Sequence, residues 1–318
     1  MIAAKKIALV IPVFNDWECA LELVKNLSQS FSQKKESFDL SITFVDDGST
    51  DVIPSQKVLS QFSLDIEVLA LSLNVGHQRA IMAGLRHVKG LDYDYALVMD
   101  SDGEDTADGV SKLLKASIAR PNAIIVAQRG LRSEKLSFRL LYRTHKFIFR
   151  VLSGKKLDFG NFALLPISAV EVITAMADSS SHLAGSILRS RIPLDRVRVD
   201  RGSRYFGESK MNFEKLVSHS FASLAVFSDQ IMVRLMIFSI FSSLVSGIGI
   251  ITVVGIRLLS DAATPGWATA AVGILMVISF QVLTFAGLGT LITLNLNSLK
   301  NLYRNQPDIA KVMKGTRD

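Results

Sequence analysis

Three acidic residues at alternate positions, Asp100, Asp102 and Glu104, follow an apolar run in the string Met99-Asp100-Ser101-Asp102-Gly103-Glu104-Asp105. At i, i+2 and i+4 on a chain leaving a strand, their carboxylates can reach one hard cation. Mg²⁺ and Mn²⁺ prefer such oxygen ligands and share them with substrate phosphates. A D-x-D alone is also the pattern of a solvated acidic loop. A second string, Val45-Asp46-Asp47-Gly48-Ser49-Thr50-Asp51, shifts the balance towards a site. Pro12-Val13-Phe14-Asn15-Asp16 and Ala127-Gln128-Arg129-Gly130 end two further apolar runs. Acids thus cluster in a chain that is basic overall, with a net charge of +7 and a pI near 9.5. That balance suggests an anionic partner: a phosphorylated substrate, an acidic membrane face or nucleic acid.

The elements that must hold these strings are short. KIALVIPVF, LSITFV, IEVLAL, YALVMD and AIIVAQ are continuous apolar runs, as buried parallel strands are. Helical stretches lie between them at Cys19 to Ser30, His77 to Val88 and Gly109 to Ala119. The pattern is α/β, with a mostly parallel sheet and helices on both faces. Ligands bind such sheets beyond the carboxyl ends of the strands, where the acidic strings stand.

The rest of the chain is more apolar than an enzyme core needs; mean hydropathy over 318 residues is +0.32. Leu235 to Ile256 and Ala262 to Leu299 carry no charge. About 20 apolar residues span a bilayer, so each run can cross once. They predict transmembrane helices near 235–257 and 268–294 within a segment 231–299, joined by a short turn. Residues 1–230 then form a catalytic domain and 300–318 a basic tail. The tail's five Lys or Arg predict that tail and catalytic domain both face the cytoplasm of a multi-pass inner-membrane protein. The N-terminal run Ile7 to Ile11 is too short for a signal peptide. From 134 to 152, Arg139, Arg143, Lys146 and Arg150 share one helical face and Leu136, Leu140, Phe147 and Val151 a neighbouring one. This is the pattern of an interfacial amphipathic helix, and also of a soluble helix with a charged outer face. One cysteine, Cys19, excludes an internal disulfide and a Cys-based metal cage. The absence of H-x-x-x-H and of G-x-x-x-x-G-K-[ST] argues against a zinc site and a P-loop. No nucleic-acid module is recognisable.

The order IPVFND, VDDGSTD, LNVGHQRA, DSDGED resembles a family 2 glycosyltransferase of the nucleotide-sugar fold called GT-A, a Rossmann-like α/β fold. Arg204-Tyr205-Phe206-Gly207-Glu208-Ser209-Lys210 resembles the R-x-x-G-x-S-K element of dolichyl-phosphate mannose synthases. With the paired C-terminal helices, the chain resembles bacterial bactoprenol (undecaprenyl-phosphate) glycosyltransferases. That likeness implies transfer of a sugar from a UDP- or GDP-sugar to polyprenyl phosphate, with inversion. It further implies a divalent cation and a homotetramer. Pro12, Phe14 and Asp16 would line the nucleotide pocket, and Asp47, with Asp46 less surely, would hold the base or ribose. Asp100 and Asp102 would carry metal and diphosphate, with Glu104 where relatives often have Gln. Arg129 would contact phosphate; Arg204, Ser209 and Lys210 would close over the phosphates or the acceptor. Some relatives place an acid, proposed as a base, where this chain has Asn161 in Gly160-Asn161-Phe162-Ala163. Either Asp158 substitutes or no protein base is needed. A sugar or lipid hydroxyl is the alternative acceptor, and that reaction needs a base. For His77 and His182, contact with donor or acceptor stands beside a purely structural role.

Overall fold

Ile7 to Ile11 are aliphatic without a break, and every one is fully buried in β1 (Lys5–Val13). A strand covered on both faces requires that composition. Alternate residues serve two cores. Ile7, Leu9 and Ile11 pack with residues of α1 (Trp17–Phe31) and α4 (Ala107–Ala119). Ala8 and Val10 pack with Ile81, Met82 and Leu85 of α3 (His77–Val88). A single turn, α2 (Gln56–Leu59), precedes β3 (Asp65–Leu71).

The coordinates are a computed structural model that describes residues 4–31, 38–129, 147–176, 181–207, 222–259, 266–303 and 310–313. For Arg129 and from residue 293 onward, the description is of the backbone alone. Outside the described residues lie Arg139, Arg143, Lys146, Ser209 and Lys210, all singled out in the sequence.

The sheet order is β7-β5-β6-β4-β1-β2-β3-β8. β1 pairs in parallel with β2 (Phe38–Asp46) and β4 (Tyr95–Val98), and β2 with β3. The five expected strands form, but they are not contiguous. β6 (Ala163–Pro166) inserts antiparallel between β4 and β5 (Ile124–Arg129). β7 (Leu194–Val199) extends β5 in parallel. β8 (Ala310–Met313), close to the chain's end, pairs antiparallel with β3. Antiparallel strands need no crossover helix, so neither β6 nor β8 leaves a βαβ signature in sequence. Pro12 sits in a central strand without breaking it. The β1–β4 ladder ends at Val10↔Val98, so on that side the missing N–H falls beyond the last pair. Two more helices, α5 (Ile167–Ala175) and α6 (Leu183–Ser190), add to the α3 face.

A second compact unit comprises residues 151–154 and 227–306. Its helices are α7 (Ser228–Leu259) and α8 (Trp267–Tyr303). Both are long and apolar enough to cross a membrane, with window hydropathies of 2.2 and 2.1. Only 11% and 0% of those windows are buried, whereas a soluble core helix would be covered. They pack antiparallel on each other. Ser239 Oγ donates to the Val282 carbonyl at 3.3 Å. Gly249 faces Leu275 and Gly289 faces Met232, and a Cβ on Gly289 would stand 2.9 Å from the Met232 sulfur. Of the expected amphipathic helix, residues 147–153 are described and helical, with Phe147 and Val151 exposed.

Candidate active site

The loops after β1 and β2 are stitched together by one residue. Asn15 has a left-handed backbone, φ 50°, which Asn tolerates better than most residues. Its side-chain oxygen accepts from Thr50 N at 2.8 Å, and its backbone N–H donates to Ser49 Oγ at 3.0 Å. This pins Phe14 and Asp16 at the sheet edge, Phe14 with 43% of its surface exposed. Asp46 and Asp47 are both buried. Asp46 accepts from Ser49 N at 3.1 Å. Asp47 accepts from Val75 N at 2.7 Å and Gly76 N at 3.0 Å, so it shapes the turn that starts α3. Burial pushes the Asp47 pKa up, and those two N–H groups only partly offset it.

The DSDGED loop is closed by Asp105, whose buried carboxylate accepts from Asp100 N at 3.0 Å. Residues 201–206 fold back over that loop as a strap. Gly202 N donates to the Glu104 carbonyl at 2.9 Å and Tyr205 N to the Asp102 carbonyl at 3.0 Å. The two backbones touch because both facing residues are glycine. A Cβ on Gly103 would lie 2.5 Å from the Tyr205 ring, and one on Gly202 would lie 2.4 Å from the Gly103 carbonyl. Tyr205 then accepts from Asn26 Nδ2 at 3.0 Å. The strap delivers two guanidinium groups. Arg204 pairs with Asp16 and, at 3.3 Å, with Asp102. Arg201 pairs with Glu104.

Asp100, Asp102 and Glu104, the expected metal ligands, each have a basic partner within the protein. Among the described residues no three such side chains converge in a metal-binding group. Glu104 is drawn away by Arg201, while Asp102 accepts from Glu104 N at 3.0 Å and meets Arg204. Asp100 lies 3.3 Å from His77 Nε2.

Asn161 belongs to this network. Its Nδ2 is 3.2 Å from His77 Nε2, and its oxygen accepts from Gln78 Nε2 at 3.1 Å. Gln78 in turn accepts from Leu183 N at 2.7 Å. Crowding around His77 opposes its protonation. The hydrogen bond and charge of Asp100, with Asp47 and Asp102 behind, outweigh that and hold its pKa above the ordinary imidazole value. His182 has a structural place: it is buried, and its Nδ1 accepts from Gly185 N to cap α6. Asp158, the candidate base, is engaged by two donors. Arg196 Nε donates to it at 3.1 Å and Gln128 Nε2 at 3.2 Å.

The geometry is that of carboxylates and guanidinium groups gathered at the carboxyl ends of β1 and β4. The model of glycosyl transferase family 2 matches residues 8–171, just over half of the chain. The chain belongs to this family. It is a glycosyltransferase, and its sheet is the GT-A fold. An undecaprenyl-phosphate 4-deoxy-4-formamido-L-arabinose transferase of Enterobacter sp. (strain 638) is 26% identical over 293 residues, 88% of this chain and 84% of that one. A prophage bactoprenol glucosyl transferase homolog of Escherichia coli (strain K12) is 27% identical over 231 residues, 70% and 72% of the two chains. Among solved structures, a glucosyl-3-phosphoglycerate synthase of Mycobacterium tuberculosis shares the fold with TM-score 0.51 at 15% identity. The match covers 71% of this chain and 80% of that one, which was crystallised with Mn²⁺, UDP-glucose and phosphoglyceric acid.

In this glycosyltransferase the structure brings together Asp16, Asp100, Asp102, Asn161 and Arg204, and leaves Asp158 in a separate cluster. Pro12 is buried in β1 opposite Val45. The Arg129 backbone ends β5 beside Val199. Sequence reasoning missed Arg201, Asp105, Gln78 and Tyr205. Tyr205, Asp105 and Gln78 lay inside quoted strings without an assigned role, and Arg201 lay three residues before one.

Proposed function

We propose that this enzyme transfers a sugar from a UDP- or GDP-sugar to a polyprenyl phosphate, with inversion, at the cytoplasmic face of the membrane. The observation that carries the reading is the Arg204 guanidinium set between Asp16 and Asp102 at the sheet's carboxyl edge. A planar cation there can turn from carboxylate to phosphate oxygens with little change of position. The relatives named for undecaprenyl phosphate and bactoprenol support the acceptor class.

Asp100 and Asp102 fit a divalent cation. Two carboxylates suffice for Mg²⁺ or Mn²⁺, which complete their shell with phosphate oxygens and water. Bound there, the cation would neutralise charge on the leaving diphosphate. The Mn²⁺ in the Mycobacterium tuberculosis structure is of the same class.

This reaction needs no carboxylate base. Position 161 is an amide beside His77 whose oxygen accepts from Gln78, and Asp158 is engaged by Arg196 and Gln128. A phosphate monoester has a second pKa of about 6, so a polyprenyl phosphate is already an anion at neutral pH. Its oxygen bonds to the anomeric carbon as the bond to the diphosphate breaks, and the nucleoside diphosphate departs. In-line attack inverts that carbon. His77 lies beside Asp100, whose hydrogen bond and charge raise its pKa. The chain's residues orient the partners and stabilise leaving charge rather than move a proton.

Two features support the membrane placement. α7 and α8 each exceed the length of a bilayer crossing. The strand that follows both of them, β8, pairs with β3, which suits an even number of crossings. Resistance of the full-length protein to carbonate extraction, and substantial release on deleting Arg234 onward, would fit. The acceptor is tested with radiolabelled nucleotide sugar. The product should extract into organic solvent and break down in mild acid, as a glycosyl phosphate does, and Asp158→Asn should retain activity. An acid-stable product, or transfer to polyprenol lacking phosphate, would overturn the acceptor in favour of a hydroxyl.

A further inference from the structure

Glu104 is one of six points at which the strap 201–206 is fastened, and the fastening explains its charge. Two are the backbone bonds from Gly202 and Tyr205 to the DSDGED loop. A third is the Tyr205–Asn26 hydrogen bond, and a fourth is Arg204 on Asp16 and Asp102. A fifth is the Cys19 thiol, which donates to the Phe206 carbonyl at 3.7 Å. The sixth is Arg201 on Glu104, with side chains 23% and 18% exposed. Four of the six hold backbone or ring. The two ion pairs alternate along the strap, and Arg201 sits one turn of chain before Arg204. Arg204 has to keep a guanidinium between two carboxylates on different loops, those after β1 and β4. Its register there depends on where the strap begins, and the Arg201–Glu104 pair sets that beginning.

We propose that Glu104 and Arg201 are a positioning pair: they latch the strap over the DSDGED loop and so set Arg204 between Asp16 and Asp102. Glu104 then acts through Arg201 on Arg204 rather than as a ligand of the divalent cation. This inference rests on the family 2 reading of the site, but one of its measurements needs no substrate. Cys19 is the sole cysteine and is fully buried, with Phe206 of the strap at its sulfur. Burial, helped by a hydrogen bond with Asp16, also pushes its pKa up to about 11. A maleimide therefore reads the strap directly.

The test compares wild type with Arg201→Ala, Glu104→Ala, Glu104→Gln and the double variant Glu104→Arg/Arg201→Glu, all as full-length protein. Arg201→Ala and Glu104→Ala should each raise the Cys19 labelling rate and lower kcat by about tenfold, with little change in donor KM, as a misplaced contact does. Glu104→Gln, which keeps shape and a hydrogen-bond acceptor, should fall between. The double variant should regain protection and turnover, a rescue that general destabilisation does not produce. Two results would overturn the latch. One is wild-type labelling and kcat in Arg201→Ala. The other is Glu104→Ala with Cys19 still protected but more Mn²⁺ needed for half-activation, which would make Glu104 a ligand. If the acceptor proposed above is wrong, the labelling result stands unchanged.

Discussion

Both ends of β1 carry ion pairs, and they are different kinds of structure. At the amino end Lys5 meets Asp94 at 2.7 Å and Lys6 meets Asp92 at 2.5 Å. Each lysine has one partner and about half of its side chain in water. Such pairs satisfy charge and add little else. At the carboxyl end Arg204 serves two carboxylates on separate loops, and Asp102 also accepts a backbone N–H. Partners there are shared, so a change at one residue is felt at several. The same strand thus begins in exposed lysine pairs and ends in a largely buried network whose guanidinium joins two loops.

Substitutions can break that contrast at its strong end or confirm it at its weak one. Asp102→Asn should act most severely, lowering turnover by at least about 10³-fold with unchanged circular dichroism and Tm. Near-normal turnover would mean the network is only structural. Arg204→Ala comes next, at about 2–4 kcal/mol in kcat/KM. Asp47→Asn should act on stability instead, costing about 1–3 kcal/mol in denaturant unfolding, because the amide NH₂ would face one of the N–H donors that a carboxylate oxygen now accepts. Its pH dependence has a definite sign. The folded pKa is raised, so the carboxyl's contribution is present below the unfolded value and lost as pH rises through the folded one. The stability gap between wild type and Asp47→Asn should narrow from acid towards neutral pH; a widening gap would contradict the burial of this group. Lys5→Met is the control at the far end of β1: Tm and turnover should both match wild type.

Much of this was legible in the sequence because it is local. Continuous apolar runs mark β1 to β5, and helical periodicity marks α1, α3 and α4. The acidic strings stand at strand ends because turns and ligand loops occur there. The two charge-free runs become α7, which outruns its stretch at both ends, and α8, which begins inside its stretch and outruns it only at the carboxyl end. What sequence did not disclose is pairing across distance. Glu104 pairs with Arg201 and Asp158 with Arg196, contacts that nothing in the local sequence announces. Neither partner lies at a helical or strand period from the acid it meets. The direction of β6 was equally hidden, since Ala163–Pro166 is a short apolar run that suits either orientation.

The pairing of β3 with β8 has a consequence for biogenesis. Leu71 is matched with Ala310 and Val68 with Met313, so the sheet's outer rung is made only after both long helices. Throughout synthesis of the two long helices, β3 offers an unpaired backbone edge, the kind of surface that invites association with other chains. Native order is completed only by a contact between distant stretches of sequence, and such contacts form slowly. Until β8 arrives, that open edge exposes the nascent chain to aggregation, and β8 acts as a self-supplied seal.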